Sequence, residues 1–147
     1  MKKELEDAFN TIYNHSYFWN WCPDIDLTKK IYEQFPNSYS ILTPFMYSLL
    51  EEIIRSTTSE YGRQLDGERK SVGMKLIKLA INENQNNQEY LKCLNEIKEY
   101  FKNSSMFDDG DNRNSTVHGY MHPRFWSQES FEKIIIDTSK ISKFSGF

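Results

Sequence analysis

Residues 43–59 read TPFMYSLLEEIIRSTTS and contain the widest apolar stripe of the 147-residue chain. Paired apolar side chains recur about every four residues, which is typical of one buried helix face: Phe45 and Met46, Leu49 and Leu50, Ile53 and Ile54. Thr43 is a good N-cap, and Pro44 suits the first helical position. The pattern therefore predicts a central core helix that begins after Thr43 and ends near residue 59.

Further helices are predicted on both sides of this one. Apolar residues with helical spacing favour helices over residues 3–15, 72–82 and 90–101. A last helix is expected to begin after Ser127 as N-cap, with Trp126 packed against Phe131 as a hydrophobic staple. No alternating apolar run is long enough for a strand. We predict one all-α domain over residues 1–147, an up-and-down bundle of four long helices plus short helices.

The connecting segments carry weaker patterns. Residues 24–43 show a short helical pattern and a turn at Pro36, and Gly62 and Gly67 bracket a second turn. The Asp-rich loop at residues 103–111 is typical of turns and caps, since the spacing of its carboxylates fits no calcium loop. An aromatic cluster precedes Pro23 and predicts either core packing or a platform for stacking bases. Its members are Tyr17, Phe18, Trp19 and Trp21.

Composition limits the classes of function. The formal net charge is −3, so the chain has no general basic field for nucleic acid, and any affinity for phosphate must be local. No apolar run is long enough to cross a bilayer or to serve as a signal segment, so we expect a soluble cytoplasmic protein that does not enter a membrane. Cys22 and Cys93 fit no metal-site spacing and are expected to be reduced thiols.

A polar motif near the C-terminal third gathers groups that perform chemistry. Residues 112–120 read NRNSTVHGY and follow the Asp-rich loop, so Asp111 or Asn112 is expected to cap a short helix that carries them. On a helix, Asn114 and His118 share a face, but Arg113 and His118 differ by about 140°. Their convergence requires either that the Arg113 stem curls round the helix or that a second copy of the chain supplies one group.

This Arg-x4-His motif, with a polar Asn directly after the Arg, resembles the signature of the HEPN superfamily of small all-α domains. The resemblance implies a metal-independent endoribonuclease without cofactor, active as a homodimer in which two motifs meet. His118 would act as general base or acid and Arg113 would hold the scissile phosphate, while Asn114 would orient the imidazole or bind the phosphate. The alternative is a non-catalytic HEPN-like module that binds nucleotide, RNA or a protein partner.

Three further residues enter this hypothesis. With Tyr120 the motif resembles HEPN toxins whose tyrosine accepts adenylyl groups from a nucleotidyltransferase-like antitoxin; the alternative is a tyrosine buried under the motif. His122 is either an auxiliary proton carrier or a loop residue packed on Pro123. Glu52 is placed in the outer shell of the site, since a glutamate of the core helix that leans across the bundle can orient Arg113 or His118.

Two structural alternatives involve the same charged groups. Glu51 and Arg55 have the i,i+4 spacing of a surface ion pair, which stabilises a helix by a few tenths of a kcal/mol, about 0.2–0.5. Arg113, in turn, can pair with Asp109 or Asp111 in the preceding loop.

Overall fold

The structure is a computed structural model that describes residues 1–17, 19–61, 70–105 and 107–147. These residues form seven α-helices and contain no strand. The all-α bundle is therefore confirmed. The helices of the described residues are α1 Lys3–Asn14, α2 Cys22–Gln34, α3 Tyr39–Arg55, α4 Met74–Glu83, α5 Gln88–Ile97, α6 Arg113–His118 and α7 Gln128–Ser142. None of them has the length and apolar character that crossing a membrane requires.

The core is centred on α3, which packs against α7, while α7 also packs along α1. Side chains of α3 such as Leu50 and Ile53 are fully buried, and each contributes on the order of 1.5–3 kcal/mol by leaving water. One apolar cluster contains side chains from α1 to α5 and from α7. Helix α6 supplies none of its described members, and its buried residues are Arg113, Ser115 and Thr116. The helix that carries the motif is thus held by polar contacts.

Helix α3 begins at Tyr39, four residues earlier than the predicted cap at Thr43, and ends at Arg55. A 3-10 turn at Pro36–Ser38 leads directly into it, so Pro44 lies in the second turn of a continuous helix. At that position proline removes a single main-chain hydrogen bond near the helix start. The Thr43 hydroxyl donates to the Tyr39 carbonyl at 2.7 Å instead of capping a helix end.

The region before α3 is more regular than its sequence pattern predicted. Cys22–Gln34 forms a complete helix, with Pro23 in its first turn, where proline is tolerated. Trp21 lies partly buried beside Phe45, with ring centroids 6.1 Å apart, whereas Tyr17 and Trp19 are exposed. Phe18 of the aromatic cluster and the predicted turn at Gly62 and Gly67 lie outside the described residues.

Side-chain N-caps set the first residues of the last two helices, α6 and α7. The Asn112 side-chain Oδ1 accepts from the Ser115 N–H at 3.0 Å, so Asn112 is the cap of the two predicted candidates, Asp111 and Asn112. The Ser127 hydroxyl accepts from the Ser130 N–H at 3.0 Å, as the sequence predicted. In the Asp-rich loop, the Asp109 carboxylate accepts from the Ser127 and Ser130 hydroxyls. This carboxylate therefore fastens the loop to the start of α7.

Helix α6 ends at His118, two residues before the end of the motif. Gly119 adopts a left-handed conformation with φ +69°, and its N–H and that of Tyr120 both donate to the Ser115 carbonyl. Tyr120 therefore lies outside the helix that carries Arg113, Asn114 and His118.

A buried carboxylate fastens α7 to the 3-10 turn Lys98–Phe101 that follows α5. Asp137 accepts from the Tyr100 hydroxyl at 2.6 Å and from the Lys133 and Lys140 ammonium groups at 2.8 and 2.7 Å. Burial acts to raise the pKa of Asp137, but these three hydrogen bonds outweigh burial and lower the pKa below its ordinary value. Folding therefore favours the ionised carboxylate.

Replacement of Asp137 by Asn is expected to lower the free energy of unfolding at pH 7 by about 1–3 kcal/mol, because the Lys and Tyr donors lose their charged acceptor. The contribution is present above the unfolded pKa of about 3.9 and is lost as the pH falls through the lower folded pKa. Urea unfolding at pH 7 and at about pH 2 measures the free energy of unfolding of both proteins, and the difference between the original protein and Asp137→Asn should be smaller in acid.

The matched control is Glu99→Gln, which removes an exposed i,i+3 pair with Lys102 and should change stability by less than about 1 kcal/mol. Equal losses in the two variants at pH 7 would contradict the role assigned to Asp137.

Candidate functional site

A cleft of about 480 Å³ opens between α6 and the chain that leads into α4. Arg113, Asn114 and His118 line it together, so a single chain brings Arg113 and His118 to one cleft although they start from different helix faces. The other lining residues are Lys70, Ser71, Val72, Gly73, Met74, Lys75, Phe101 and Asn103.

The Arg113 guanidinium is largely buried, with the residue 8% exposed. Its Nη2 donates to Glu51 Oε2 of α3 at 3.0 Å, and its Nη1 donates to Asn114 Oδ1 at 3.4 Å. Arg113 therefore pairs with Glu51 across the bundle and not with Asp109 or Asp111. Its Nε, also buried, has no hydrogen-bond partner among the described residues.

Glu51 joins the two walls of the cleft. While Oε2 accepts from Arg113, Oε1 accepts from the Gly73 N–H at 2.6 Å. Gly73 is the N-cap residue of α4 and has φ +58°, a conformation that glycine adopts without strain. A carboxylate near the first N–H groups of a helix is favourable for the helix dipole. The same buried charge thus orients Arg113 and stabilises the start of α4.

Two more charged side chains hold the wall opposite α6. Arg55 Nη2 donates to the Ser71 carbonyl at 3.1 Å, and the Glu60 carboxylate accepts from both the N–H and the hydroxyl of Ser71 at 2.8 Å.

Arg55 also pairs with Glu52 on the adjacent turn. Glu52 therefore contacts Arg55, and the carboxylate beside Arg113 is Glu51 rather than Glu52. The predicted pair between Glu51 and Arg55 does not form.

The sequence contains a signal for Glu51 that the prediction did not use. Residues 47, 50, 51 and 54 lie on one face of a helix, and Tyr47, Leu50 and Ile54 are fully buried there. An acidic residue within such a face must find a buried partner. Lys70 and Asn103, which also line the cleft, were missed because they lie in segments between helices, and Lys75 was missed because it lies in the first turn of α4 outside the motif.

A smaller hollow of about 310 Å³ adjoins the cleft on the far side of His118. Asn103, Asn114 and His118 line both spaces, while Ser104 and Tyr120 line only the smaller one. Tyr120 is 70% exposed, so the interpretation of a buried tyrosine under the motif is wrong. Its ring centroid lies 5.8 Å from that of the His118 imidazole, which is itself exposed.

His122 lies apart from these groups. In the described structure it lines neither the cleft nor the smaller hollow, and its Nδ1 accepts from the Arg124 N–H at 3.2 Å. This bond places the ring proton of a neutral His122 on Nε2. His122 therefore caps the short turn Pro123–Phe125, separate from His118.

The cleft is locally basic although the whole chain is acidic. Lys70, Lys75 and Arg113 line it, and no carboxylate belongs to its described lining, because Glu51 lies behind Arg113. Concave surfaces lined by one sign of charge concentrate counter-ions of the other sign. Such a surface, with an exposed imidazole at its edge, is suited to an anionic substrate that undergoes proton transfer.

Comparisons of the chain with protein-family models, with curated proteins and with solved structures give no match.

Replacement of Glu51 by Gln is expected to lower the free energy of unfolding by about 1–3 kcal/mol, because the amide presents one acceptor to two donors and leaves Arg113 or Gly73 without its bond. The Gly73 amide should also exchange faster with solvent deuterons, since local opening of this wall becomes easier. Chemical unfolding and amide exchange by NMR measure the two effects.

Glu33→Gln, at an exposed position of α2, is the control and should change stability by no more than about 0.5 kcal/mol. Unchanged Gly73 exchange in Glu51→Gln would exclude the proposed link between the two walls.

Proposed function

We propose that the protein is a metal-independent endoribonuclease of the HEPN type that acts as a homodimer and cleaves RNA to a 2′,3′-cyclic phosphate. The observation that carries this proposal is the cleft in which Arg113, Asn114 and His118 form one wall and Lys70 and Lys75 lie on the other. An imidazole and a guanidinium that line the same basic cleft provide both proton transfer and phosphate binding, the two elements that this reaction needs.

In the proposed reaction the ribose 2′-oxygen attacks the adjacent phosphorus while the bond from phosphorus to the 5′-oxygen breaks. His118 removes the 2′-hydroxyl proton or protonates the 5′-oxygen leaving group, since an imidazole can both accept and donate a proton. The products are a 2′,3′-cyclic phosphate and a 5′-hydroxyl. The attacking group belongs to the substrate, so this scheme requires no metal-bound water.

The Arg113 guanidinium supports the proposal because Glu51 does not engage all of its N–H groups. Glu51 engages Nη2 at 3.0 Å, whereas Nη1 makes a long contact of 3.4 Å to Asn114 and Nε has no partner among the described residues. Nε is buried, so Nη1 is the donor that a phosphate oxygen in the cleft would engage, in place of its long contact to Asn114. Charge-assisted bonds of this kind are among the stronger ones in proteins. Lys70 and Lys75 would bind the neighbouring phosphates of the strand.

A homodimer is the proposed active form. Val117, on the last turn of α6, is 42% exposed and Phe125 is 59% exposed, so apolar side chains flank the motif at the surface. An interface between two copies would remove them from water, and a two-fold axis near α6 would bring two motifs together.

A second candidate is binding without cleavage. It is favoured by the burial of Arg113 and by its pairing with Glu51, which neutralise the charge that the transition state would use. In this version the cleft binds RNA or a nucleotide through Lys70, Lys75 and Asn114, and Arg113 is mainly structural.

Control by a partner is also part of the proposal. The exposed Tyr120 is accessible to a nucleotidyltransferase-like antitoxin, and an adenylyl group on its hydroxyl would occupy the smaller hollow beside His118. The added phosphate would also repel the substrate from the cleft.

Incubation of the purified protein with single-stranded RNA in excess EDTA is expected to yield fragments with 2′,3′-cyclic phosphate ends. His118→Ala should lower the rate by about 10²- to 10⁴-fold, the usual contribution of a general acid or base. His118 is exposed, so this change should leave the thermal unfolding midpoint near that of the original protein. The matched control is His15→Ala, which removes an exposed histidine at the end of α1.

Arg113→Lys keeps a positive charge beside Glu51 but loses the planar fork, and a rate loss of about 10²-fold is expected. DNA of the same sequence should remain intact, because it lacks the attacking hydroxyl. RNA that binds without being cut would favour the second candidate. Cleavage at equal rates by His118→Ala and His15→Ala would exclude His118 as the proton-transfer group.

For the homodimer, Val117→Asp is expected to shift the protein from dimer towards monomer in analytical ultracentrifugation, because the interface would bury a carboxylate without a partner. Leu27→Asp on α2, at a position 53% exposed, introduces the same charge away from α6 and should leave the dimer intact. An unchanged monomer for the original protein across the micromolar range would contradict the dimer.

A further inference from the structure

We propose that the smaller hollow beside His118 is a nucleobase subsite, in which an unpaired base stacks on Tyr120 and presents its edge to Asn103 and Asn114. This inference rests on the proposed function, because it assigns the nucleotide next to the scissile phosphate and names single-stranded RNA as the substrate class. It also gives Tyr120 a role that depends on its ring and not on its hydroxyl.

The position of Tyr120 at the surface supports a stacking role for its ring. The left-handed turn at Gly119 carries Tyr120 out of α6, and the bond from the Tyr120 N–H to the Ser115 carbonyl at 3.1 Å fixes its backbone. The ring is nevertheless 70% exposed. A large aromatic face held at the surface by an ordered backbone is a prepared stacking platform, and stacking on an aromatic ring is available to every base.

The location of His118 between the two spaces is the second argument. His118 lines both the cleft and the smaller hollow, and its imidazole lies 5.8 Å from the Tyr120 ring with 38° between the planes. A base stacked on Tyr120 would therefore belong to a nucleotide whose backbone passes His118. The neighbouring phosphates would then lie on the side of Arg113 and the lysines.

The chemistry of the two linings is the third argument. The lysines line the cleft, while the described lining of the smaller hollow consists of two amides, a hydroxyl, an imidazole and a phenol ring. Amides and hydroxyls both donate and accept, which matches the mixed edge of a base better than a phosphate. A volume of about 310 Å³ is at the small end of ligand pockets and suits one base.

The two asparagines differ in what they can offer to a base. Asn114 Nδ2 donates to the Lys102 carbonyl at 3.3 Å and its Oδ1 accepts from Arg113 Nη1 at 3.4 Å, and these two bonds orient its amide. The exposed Asn103 amide makes no hydrogen bond among the described residues, so both its donor and its acceptor are available. A base in a duplex keeps its pairing edge and its faces occupied, so the subsite selects unpaired nucleotides.

The test is fluorescence anisotropy with a labelled single-stranded 2′-O-methyl oligonucleotide, which binds but lacks the free 2′-hydroxyl needed for cleavage. Tyr120→Ala is expected to raise the Kd about 5- to 100-fold, the range typical of one lost base stack. Tyr120→Phe keeps the ring and should stay within about threefold of the original protein. The control Phe35→Ala removes another exposed ring, 63% accessible, and should not change the Kd.

The possible outcomes distinguish a failure of the base subsite from a failure of the proposed ribonuclease activity. If the original protein binds and cleaves RNA but Tyr120→Ala binds equally well, the subsite is excluded and the nuclease proposal stands. An equal loss in Tyr120→Phe and Tyr120→Ala would assign the effect to the hydroxyl and overturn the stacking role. A protein that neither binds nor cleaves single-stranded RNA would overturn both.

Discussion

The carboxylate of Glu51 is the contact on which the arrangement of the site depends. It is 7% exposed and accepts from Arg113 on α6 and from the N–H of Gly73 at the start of α4. A buried charge is costly unless its partners are placed correctly, so this pair penalises arrangements in which α6 and α4 are displaced. The ion pair therefore acts mainly on geometry, because desolvation offsets much of its attraction.

This constraint explains how a helix of six residues keeps a defined position. Helix α6 is too short to be stable alone and adds nothing to the described apolar cluster. Its ends are set by the Asn112 cap and the left-handed Gly119, and its first residue, Arg113, is fixed by the ion pair with Glu51. An ordered polar attachment leaves Asn114 and His118 at the surface, where a substrate can reach them.

The same attachment gives an acidic protein a locally basic cleft. Glu51 pairs with Arg113 but does not line the cleft itself. Lys70 and Lys75 line the cleft, and its described lining contains no carboxylate. His118 then separates two environments, one with cationic side chains and one with amide, hydroxyl and phenol groups. That division supports the proposed assignment of phosphate to the cleft and of base to the smaller hollow.

Sequence alone determined the features that depend on local chemistry. The apolar spacing of residues 43–59 predicted the buried helix. The cap at Ser127, and a cap of α6 at Asp111 or Asn112, were predicted because a cap needs only a side chain and an N–H three residues later in the chain. The motif directed attention to Arg113, Asn114 and His118, which line one cleft.

Tertiary structure decided which charges meet. Local spacing paired Glu51 with Arg55, but the fold turns Glu51 towards Arg113, 62 residues away, and leaves Glu52 to Arg55. The exposure of Tyr120, by contrast, follows from a local feature, because the left-handed Gly119 ends α6 at His118. Partners distant in sequence are selected by how whole helices pack, and that packing is set by the complete apolar core rather than by the residues of the site.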